Sequence, residues 1–356
     1  MLEIDGTHGE GGGQILRGSL ALALVTGKAF RIRNIRAGRA KPGLMRQHLT
    51  GVAAAARVGA AHVVGATLGS TELTFEPNGV TAGVYEFDIG SAGSTMMVLQ
   101  AVLPALARLP LPSQLKIVGG THNPMAPPFE FIAESLAPQL ANIGWRCEFS
   151  LQRYGFVPAG GGVIAVAIAP AAAVQALALL DRGEFHSCEA RVLITHLARD
   201  IAQRELTALQ DALPWKHIGG GINQTRDSNG PGNMVSTHLR YQHVTHVVSA
   251  LGERRRRGED IAQQVASETI AFHNYPHAAP VGEYLCDQLL VPLAITGGGQ
   301  FRCTHWSLHA ESQRPRHRRG TPSGWLLSRP SCGFFWFRRN CQDARLHRLG
   351  CLGGSA

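Results

Sequence analysis

The sequence predicts a mixed α/β (α+β) fold built from three βαβαββ repeats, with a smaller α/β domain inserted into the third repeat. Two observations support this prediction. Hydrophobic periods typical of strands and helices follow one another from residue 1 and recur in the same order from residue 83, so the spacing is about 80 residues. A third copy opens near residue 172, is interrupted, and resumes near residue 281.

The first repeat contains each of the six expected elements. A short strand and a glycine-rich turn precede an apolar helix, and an alternating strand, a second helix and two further strands follow. In order, the segments are LEID, QILRGSLALALVTG, AFRIRNI, GLMRQHLTGVAAAARVGA, AHVV and TELTFEP. The second repeat has GVYEFDI, SAGSTMMVLQAVLPALA, LKIV, APPFEFIAESLAPQLANIG, WRCEFSLQ and GVIAVAIA in the same places.

The interruption of the third repeat predicts a separate βαββα unit. Its elements are EARVLITH, RDIAQRELTALQDALP, NMVSTHLRYQ, HVTHVVSALG and GEDIAQQVASETIAFHN. We therefore divide the chain into two repeats with the start of the third (1–182), the insert (183–276), the rest of the third repeat (277–313) and a basic tail (314–356).

Charge is distributed unevenly along the chain. The net charge is +9, but residues 314–356 hold nine arginines against one aspartate, so they carry +8 and residues 1–313 only +1. A basic field over the whole body is therefore absent, and an anion site there must be a local group of residues. The seven cysteines form no CxxC pair, which gives no support for a zinc or redox motif.

Composition indicates a globular protein, with 44% hydrophobic and 17% charged residues. No apolar run is long enough to cross a membrane, and the N-terminus lacks the pattern of a secretory signal. We expect no membrane partner and a cytoplasmic location. The sequence leaves the oligomeric state open.

Several short stretches carry residues suited to an oligoanion. GEGGGQILR places Glu10 and Arg17 around a glycine turn into a helix, where a carboxylate can hold a divalent cation and an arginine can bind phosphate. IRAGRAKPGLMRQH places five basic residues at the start of a helix, namely Arg36, Arg39, Lys41, Arg46 and His48. Taken alone, a glycine turn with a solvated glutamate and a charged surface turn remain alternatives.

A second group of residues suits a nucleotide base and ribose. GEYLCDQ puts Tyr284 and Asp287 on one helical face beside Gln288, so a ring can stack while a carboxylate and an amide form hydrogen bonds. Gln100 lies on the apolar helix of the second repeat, and Pro127 lies in GGTHNPMAPPFEF. A helix-end polar cluster and a core amide are the alternatives here.

Two histidines follow the last strand of the third repeat. A neutral imidazole nitrogen can attack phosphorus and pass the group onward, so His305 and His309 are both candidate nucleophiles. Spacing alone does not choose between them.

Eight blocks, taken together, resemble the RNA 3′-terminal phosphate cyclases. They are IDGTHGEGGGQILR, IRAGRAKPGLMRQHL, GSAGSTMMVLQAVLPAL, GGTHNPMAPP, YGFVPAGGGV, DSNGPGN, GEYLCDQLLVPLA and GGGQFRC, in this order from residue 1 to about 309. The resemblance implies three repeats of the type also found in enolpyruvyl transferases, plus an insert. It also implies an ATP-dependent enzyme that acts on RNA with a 3′-phosphate end and makes a 2′,3′-cyclic phosphate through a covalent histidine–AMP intermediate.

The resemblance also implies roles for individual residues. His309 corresponds to the family's nucleophile, and Glu10 to a contact with a divalent cation, Mg or Mn. The residues that bind the RNA terminal phosphate and the polyphosphate correspond to Arg17, Arg36, Arg39 and Gln47. The adenylate pocket corresponds to Gln100, Pro127, Tyr284, Leu285, Cys286, Asp287 and Gln288.

The tail departs from the family pattern after HAESQ. Its Arg, Gly, Ser, Cys and Trp content is what a GC-rich message read out of frame gives, so we expect a frameshift and a disordered tail. A catalytically inactive cyclase-like RNA-binding protein, or a disabled gene copy, is the alternative function. An enolpyruvyl transferase is disfavoured because the body has only four lysines.

Overall fold

The computed structural model of the chain describes residues 1–8, 12–170 and 173–304, and the backbone of three strands between residues 324 and 348. The first sheet has the order β1-β2-β4-β3, with β1 parallel to β2 and the other neighbours antiparallel. Its elements are β1 (Leu2–Asp5), α1 (Gln14–Thr26), β2 (Phe30–Arg33), α2 (Arg46–Val58), β3 (His62–Val64) and β4 (Leu73–Glu76).

The second sheet repeats this topology with the order β5-β6-β8-β7, in which only β5 and β6 are parallel. Its elements are β5 (Val84–Asp88), α3 (Thr95–Leu106), β6 (Ser113–Gly119), a π-helical turn (Phe131–Leu136), α4 (Ala137–Asn142), β7 (Cys147–Arg153) and β8 (Gly162–Ile168). The π-helical turn ends just before Pro138, which has no N–H to donate. The predicted mixed α/β class is confirmed.

The inserted unit follows β9 (Leu177–Leu179). It comprises β10 (Phe185–Thr195), α5 (Arg199–Ala212), β11 (Ile218–Thr225), β12 (Gly232–Tyr241), β13 (Thr245–Leu251) and α6 (Gly258–His273). The predicted βαββα order is wrong by one strand, because β11 pairs parallel with β10 at the sheet edge. Glycines disfavour strands, and β11 contains a run of three that hides its alternation. At Gly220 a Cβ would lie 2.2 Å from the carbonyl oxygen of Ala190, so this pairing needs a glycine.

The last part of the chain completes a third sheet. It contains α7 (Glu283–Thr296), β14 (Gly299–Arg302), β15 (Gly324–Ser328), β16 (Phe334–Asn340) and β17 (Asp343–Arg348). β14 pairs parallel with β9, as β2 does with β1, and antiparallel with β17. The last three strands lie in the tail for which the sequence analysis expects no regular structure. Their aromatic-rich stretches favour strands.

Helices α1, α3 and α7 pack against one another, and their buried leucines belong to one continuous core. The insert is attached to the second sheet's helical layer. Ser135 donates to the carbonyl oxygen of Thr245 at 2.7 Å, and Gln139 donates to that of His243 at 3.0 Å. The division of the chain into domains at the stated boundaries stays a prediction.

Candidate functional site

A chain of side-chain hydrogen bonds crosses the helices α1, α3 and α7. Arg17 donates to the side-chain oxygen of Gln14 and, through Nε, to Oε1 of Gln100 at 3.1 Å. Gln100 in turn donates from Nε2 to Oε1 of Gln288 at 2.7 Å. One residue predicted to bind phosphate and two predicted to bind adenylate are thus brought together, although they lie on three helices far apart in the chain.

The first turn of α2 approaches the start of α3. The amide of Gln47 accepts a hydrogen bond from the backbone N–H of Ser94 at 3.1 Å and donates to the sulfur of Met97 at 3.3 Å. Arg46 donates to the carbonyl oxygen of Gly90 at 3.0 Å. Gln47 is therefore held by the protein itself, at a position that faces the same helix as Gln100.

The arginine loop between β2 and α2 is shaped by one of its own arginines. Arg36 has a left-handed backbone (φ 57°), and its Nη1 donates to the carbonyl oxygens of Lys41 at 2.7 Å and Gly43 at 2.8 Å. Burial and the charge of Arg39 lower the pKa of Arg36. Within the described part of the chain its Nε and Nη2 have no protein acceptor, so they remain available to an anion.

His48 lies close to Gly13, the residue before α1. The ring is 8% exposed, and its Nδ1 accepts a hydrogen bond from the backbone N–H of Met45 at 3.3 Å. Burial, followed by the charges of Arg36 and Arg17, lowers the pKa of His48 to about 3. A cavity of about 10 Å³, roughly the room for one water molecule, lies between His48, Arg17, Gln47 and Met97.

The segment predicted to hold adenylate divides between surface and core. Tyr284 is 62% exposed, whereas Leu285 and Cys286 are buried in the hydrophobic core. Asp287 is also buried, and Gln288 is half-buried and bound to Gln100. The side chains of Leu285 and Cys286 therefore pack in the hydrophobic core. Within this segment, Tyr284 and Gln288 are the more accessible side chains.

The loop after β6 contains a buried hydrogen bond between a histidine and a glutamate that the sequence analysis missed. His122 is fully buried, and its Nε2 lies 2.9 Å from Oε2 of Glu130. Burial by itself would raise the pKa of Glu130, but the charge of His122 and its hydrogen bond outweigh burial and lower that pKa. Pro127 is half-buried in the loop between His122 and Glu130.

Glu10 and His309 both fall outside the described residues, as does His305. Their predicted roles as metal contact and nucleophile therefore stay predictions. Among the residues the structure describes, no group of three or more His, Cys, Asp or Glu side chains could hold a metal ion. In the same residues, no helix has the length and apolarity needed to cross a membrane.

The sequence analysis also missed a charge cluster between the π-helical turn and the insert. Glu134 binds Arg191 at 2.7 Å, Arg240 at 3.0 Å and His238 at 3.1 Å, and Glu189 binds both arginines. Charged residues alternate along β10 and β12, and this pattern could have indicated the cluster. The sequence does not indicate which helix supplies the carboxylate of Glu134. The cluster fastens the insert to the second sheet's helical layer.

The family model described as RNA 3′-terminal phosphate cyclase matches residues 8–317 of this chain. The matched range includes every element from α1 to β14 and every residue predicted to bind phosphate, metal or nucleotide.

Proposed function

Because the chain belongs to the RNA 3′-terminal phosphate cyclase family, we propose that it converts the 3′-phosphate of an RNA into a 2′,3′-cyclic phosphate at the expense of ATP. The family supports a ligase-type enzyme that acts on RNA. The observation that carries the proposal is the hydrogen-bond chain from Arg17 through Gln100 to Gln288, because it joins a phosphate-binding candidate to two adenylate-binding candidates.

The proposed reaction has three steps. A neutral nitrogen of His309 attacks the α-phosphorus of ATP, a P–N bond forms, and pyrophosphate leaves. An oxygen of the RNA 3′-phosphate then attacks the same phosphorus, so AMP passes to the RNA and the histidine is released. The neighbouring 2′-hydroxyl loses its proton and attacks the 3′-phosphorus, which closes the ring and expels AMP.

The described residues would bind and orient the reactants. Arg17, Arg36 and Arg39 suit phosphate because a guanidinium offers several N–H donors in a planar fork. The exposed ring of Tyr284 offers a stacking surface for adenine, with Gln100 and Gln288 as hydrogen-bonding neighbours. Glu10 would hold the Mg or Mn ion, whose charge neutralises the polyphosphate when it is bound.

A second candidate is a catalytically inactive cyclase-like protein that binds RNA. One observation favours it: the family match ends at residue 317 and leaves 318–356 outside, and the unusual composition begins shortly before that end, at residue 314. Such a protein would keep its arginine loop and bind RNA ends without forming the covalent histidine intermediate.

Label transfer from α-labelled ATP to the protein separates the two functions. An active chain should acquire acid-labile, base-stable AMP, and His309→Ala should eliminate it while ATP binding is retained. His305→Ala is the matched control and should retain most of the label. Labelling should fall as the pH drops through about 6 to 7, because the attacking imidazole must be neutral. AMP on His305, or full labelling of His309→Ala, would contradict the mechanism.

A second measurement follows the RNA. The full chain, incubated with ATP, a divalent ion and an RNA ending in a 3′-phosphate, should convert that end to a form resistant to phosphatase. The same RNA with a 3′-hydroxyl should remain unchanged. Absence of both label and product, with RNA binding intact, would establish the inactive alternative.

A further inference from the structure

The β13–α6 loop, residues 252–257 of the insert, concentrates positive charge. Its sequence GERRRR has four arginines and one glutamate, so it carries +3, whereas residues 1–313 together carry only +1. Arg254, Arg255 and Arg257 are exposed. Exposed charge by itself needs no ligand, so the contacts of the loop and its place in the fold decide whether it can bind one.

Two of the four arginines are bound to the helix that follows. Nη2 of Arg256 donates to Oε1 of Gln264 at 2.6 Å, and Nε of Arg257 lies 3.7 Å from a carboxylate oxygen in the first turn of α6. The side chains of Arg254 and Arg255 have neither a hydrogen bond nor a carboxylate partner among the residues that the structure describes. Their guanidinium groups therefore keep all of their donors for a ligand.

The loop is held in place at both ends. The backbone N–H of Gly252 donates to the carbonyl oxygen of Asn233 at 2.9 Å. At the other end, a Cβ added to Gly258 would lie 2.7 Å from Cγ of the buried Glu205. Between them Arg255 has a left-handed backbone (φ 67°), which costs a residue with a side chain about 1–2 kcal/mol. Packing at the two ends therefore fixes the arginines at one end of the insert's sheet.

The β13–α6 loop begins beside the loop between β7 and β8. Leu251, the last residue of β13, packs against the small hydrophobic cluster that contains Phe156 of that loop. The β7–β8 loop also reaches the turn before α3, because a Cβ added to Gly160 would lie 2.8 Å from Cα of Ala92. The same turn donates a backbone N–H to Gln47. A continuous run of contacts therefore connects a predicted phosphate-binding residue with the β13–α6 loop.

We propose that the β13–α6 loop binds the sugar–phosphate backbone of the RNA upstream of its 3′ end, through Arg254 and Arg255. This inference rests on the proposed function and deepens it, because it gives the insert a part in substrate binding. The RNA end occupies the candidate site, and the strand crosses the β7–β8 loop towards the insert.

Charge complementarity selects a nucleic-acid strand as the partner. RNA carries a negative charge on each phosphate of its backbone, and a guanidinium offers paired donors to phosphate oxygens. Contacts to phosphate position a strand without reading its bases. We therefore expect binding at this loop to be independent of RNA sequence, dependent on RNA length and sensitive to salt.

The test removes the two unpaired guanidinium groups together. Arg254→Gln with Arg255→Gln should lower the affinity for a long oligoribonucleotide about tenfold at about 0.15 M salt, because two phosphate contacts are lost. The slope of log affinity against log salt concentration should become shallower by about 1.4, since each contact with a single strand contributes about 0.7. Arg254→Lys with Arg255→Lys keeps both charges and should retain most of the affinity and of the slope.

Lys28→Gln with Arg146→Gln is the matched control. It removes the same charge from two exposed residues that precede β2 and β7, at the ends of these strands away from the candidate site. This variant should bind every RNA like the unaltered chain, and an equal loss of affinity here would overturn the inference, because it would be an effect of net charge alone. Thermal melting of each variant reports whether the fold is kept.

Affinities are measured by calorimetric titration for a long oligoribonucleotide ending in a 3′-phosphate or a 3′-hydroxyl, and for a dinucleotide ending in a 3′-phosphate. The dinucleotide fills only the end site, so the Gln variant should bind it normally, whereas both long RNAs should lose affinity by the same factor. Unchanged affinity for the long RNAs, which includes the case of a loop that binds an acidic protein segment, would overturn the inference. An equal loss for the dinucleotide would overturn it too.

These binding measurements do not depend on cyclisation. If long RNA binds through Arg254 and Arg255 in a chain that forms no cyclic phosphate, the inference stands and the proposed function fails. If the chain cyclises RNA and the Gln variant binds long RNA normally, the proposed function stands and the inference fails. A chain that binds no long RNA at all also overturns the inference.

Discussion

Nε of Arg17 donates to Oε1 of Gln100 across 3.1 Å, and this bond joins two residues that are 83 positions apart in the chain. Nε2 of Gln100 also donates a hydrogen bond to Oε1 of Gln288 at 2.7 Å. The side-chain amide of Gln100 therefore links the first helices of the three predicted repeats. The position of the guanidinium therefore depends on residues contributed by two other parts of the chain.

The first prediction tests this link. Gln100→Leu should lower the free energy of unfolding by about 1–3 kcal/mol, because Arg17 Nε–H and Gln288 Oε1 both lose their partner inside the protein. It should also weaken ATP binding. Chemical denaturation and calorimetric titration measure the two effects. Gln263→Leu, on the exposed face of α6, is the control and should change neither.

The second prediction separates two arginines of one loop. Arg36 holds its own turn through two carbonyl oxygens, so Arg36→Ala should weaken binding of 3′-phosphorylated RNA and also make the loop more susceptible to proteolysis. Arg39→Ala should also weaken RNA binding. Tyr284→Ala should instead weaken ATP binding. If Arg36→Ala abolished self-adenylylation and left RNA binding intact, the assignment of this loop would be wrong.

The third prediction concerns pH and the Glu134 cluster. Burial alone would raise the pKa of Glu134, but His238 and Arg191 outweigh burial and lower that pKa to about 2. A carboxyl whose pKa is lower in the folded state stabilises the fold above its ordinary value of 4.5, and this contribution is lost as the pH falls from there towards 2. The stability advantage over Glu134→Gln should therefore shrink in that window.

Unfolding by denaturant at a series of pH values measures this advantage. Glu148→Gln is a suitable control, because Glu148 is exposed on β7 and belongs to no ion pair among the described residues. The difference between the unaltered chain and Glu148→Gln should stay small and flat with pH. A flat difference for Glu134→Gln as well would show that the cluster contributes no pH-dependent stability.

The fourth prediction concerns the tail. If residues 314–356 are an out-of-frame sequence, limited proteolysis should cut first after residue 313 and leave a resistant body. Trypsin is suitable because the tail holds nine arginines. A tail that resists trypsin as long as the body does would contradict the frameshift hypothesis.

Local pattern was enough to predict most of the secondary structure. The order of elements in the first two sheets follows from hydrophobic periods of 3.6 and 2, because each helix and strand buries one face. α1 illustrates this, with Leu16, Leu20 and Leu24 buried one turn apart. The pattern did not predict β11, because glycines remove the side chains on which alternation depends.

The sequence by itself determined the fold class, the family and the residue types of the candidate site. Only the tertiary structure decided which of those residues meet. The contact of Arg17 with Gln100 and the burial of His48 against Gly13 join segments far apart in the chain. The burial of Leu285 and Cys286 beside the exposed Tyr284 depends likewise on which face of α7 meets the core. Such contacts arise from the packing of helices. The hydrophobic pattern of one segment does not specify which other segment its residues contact.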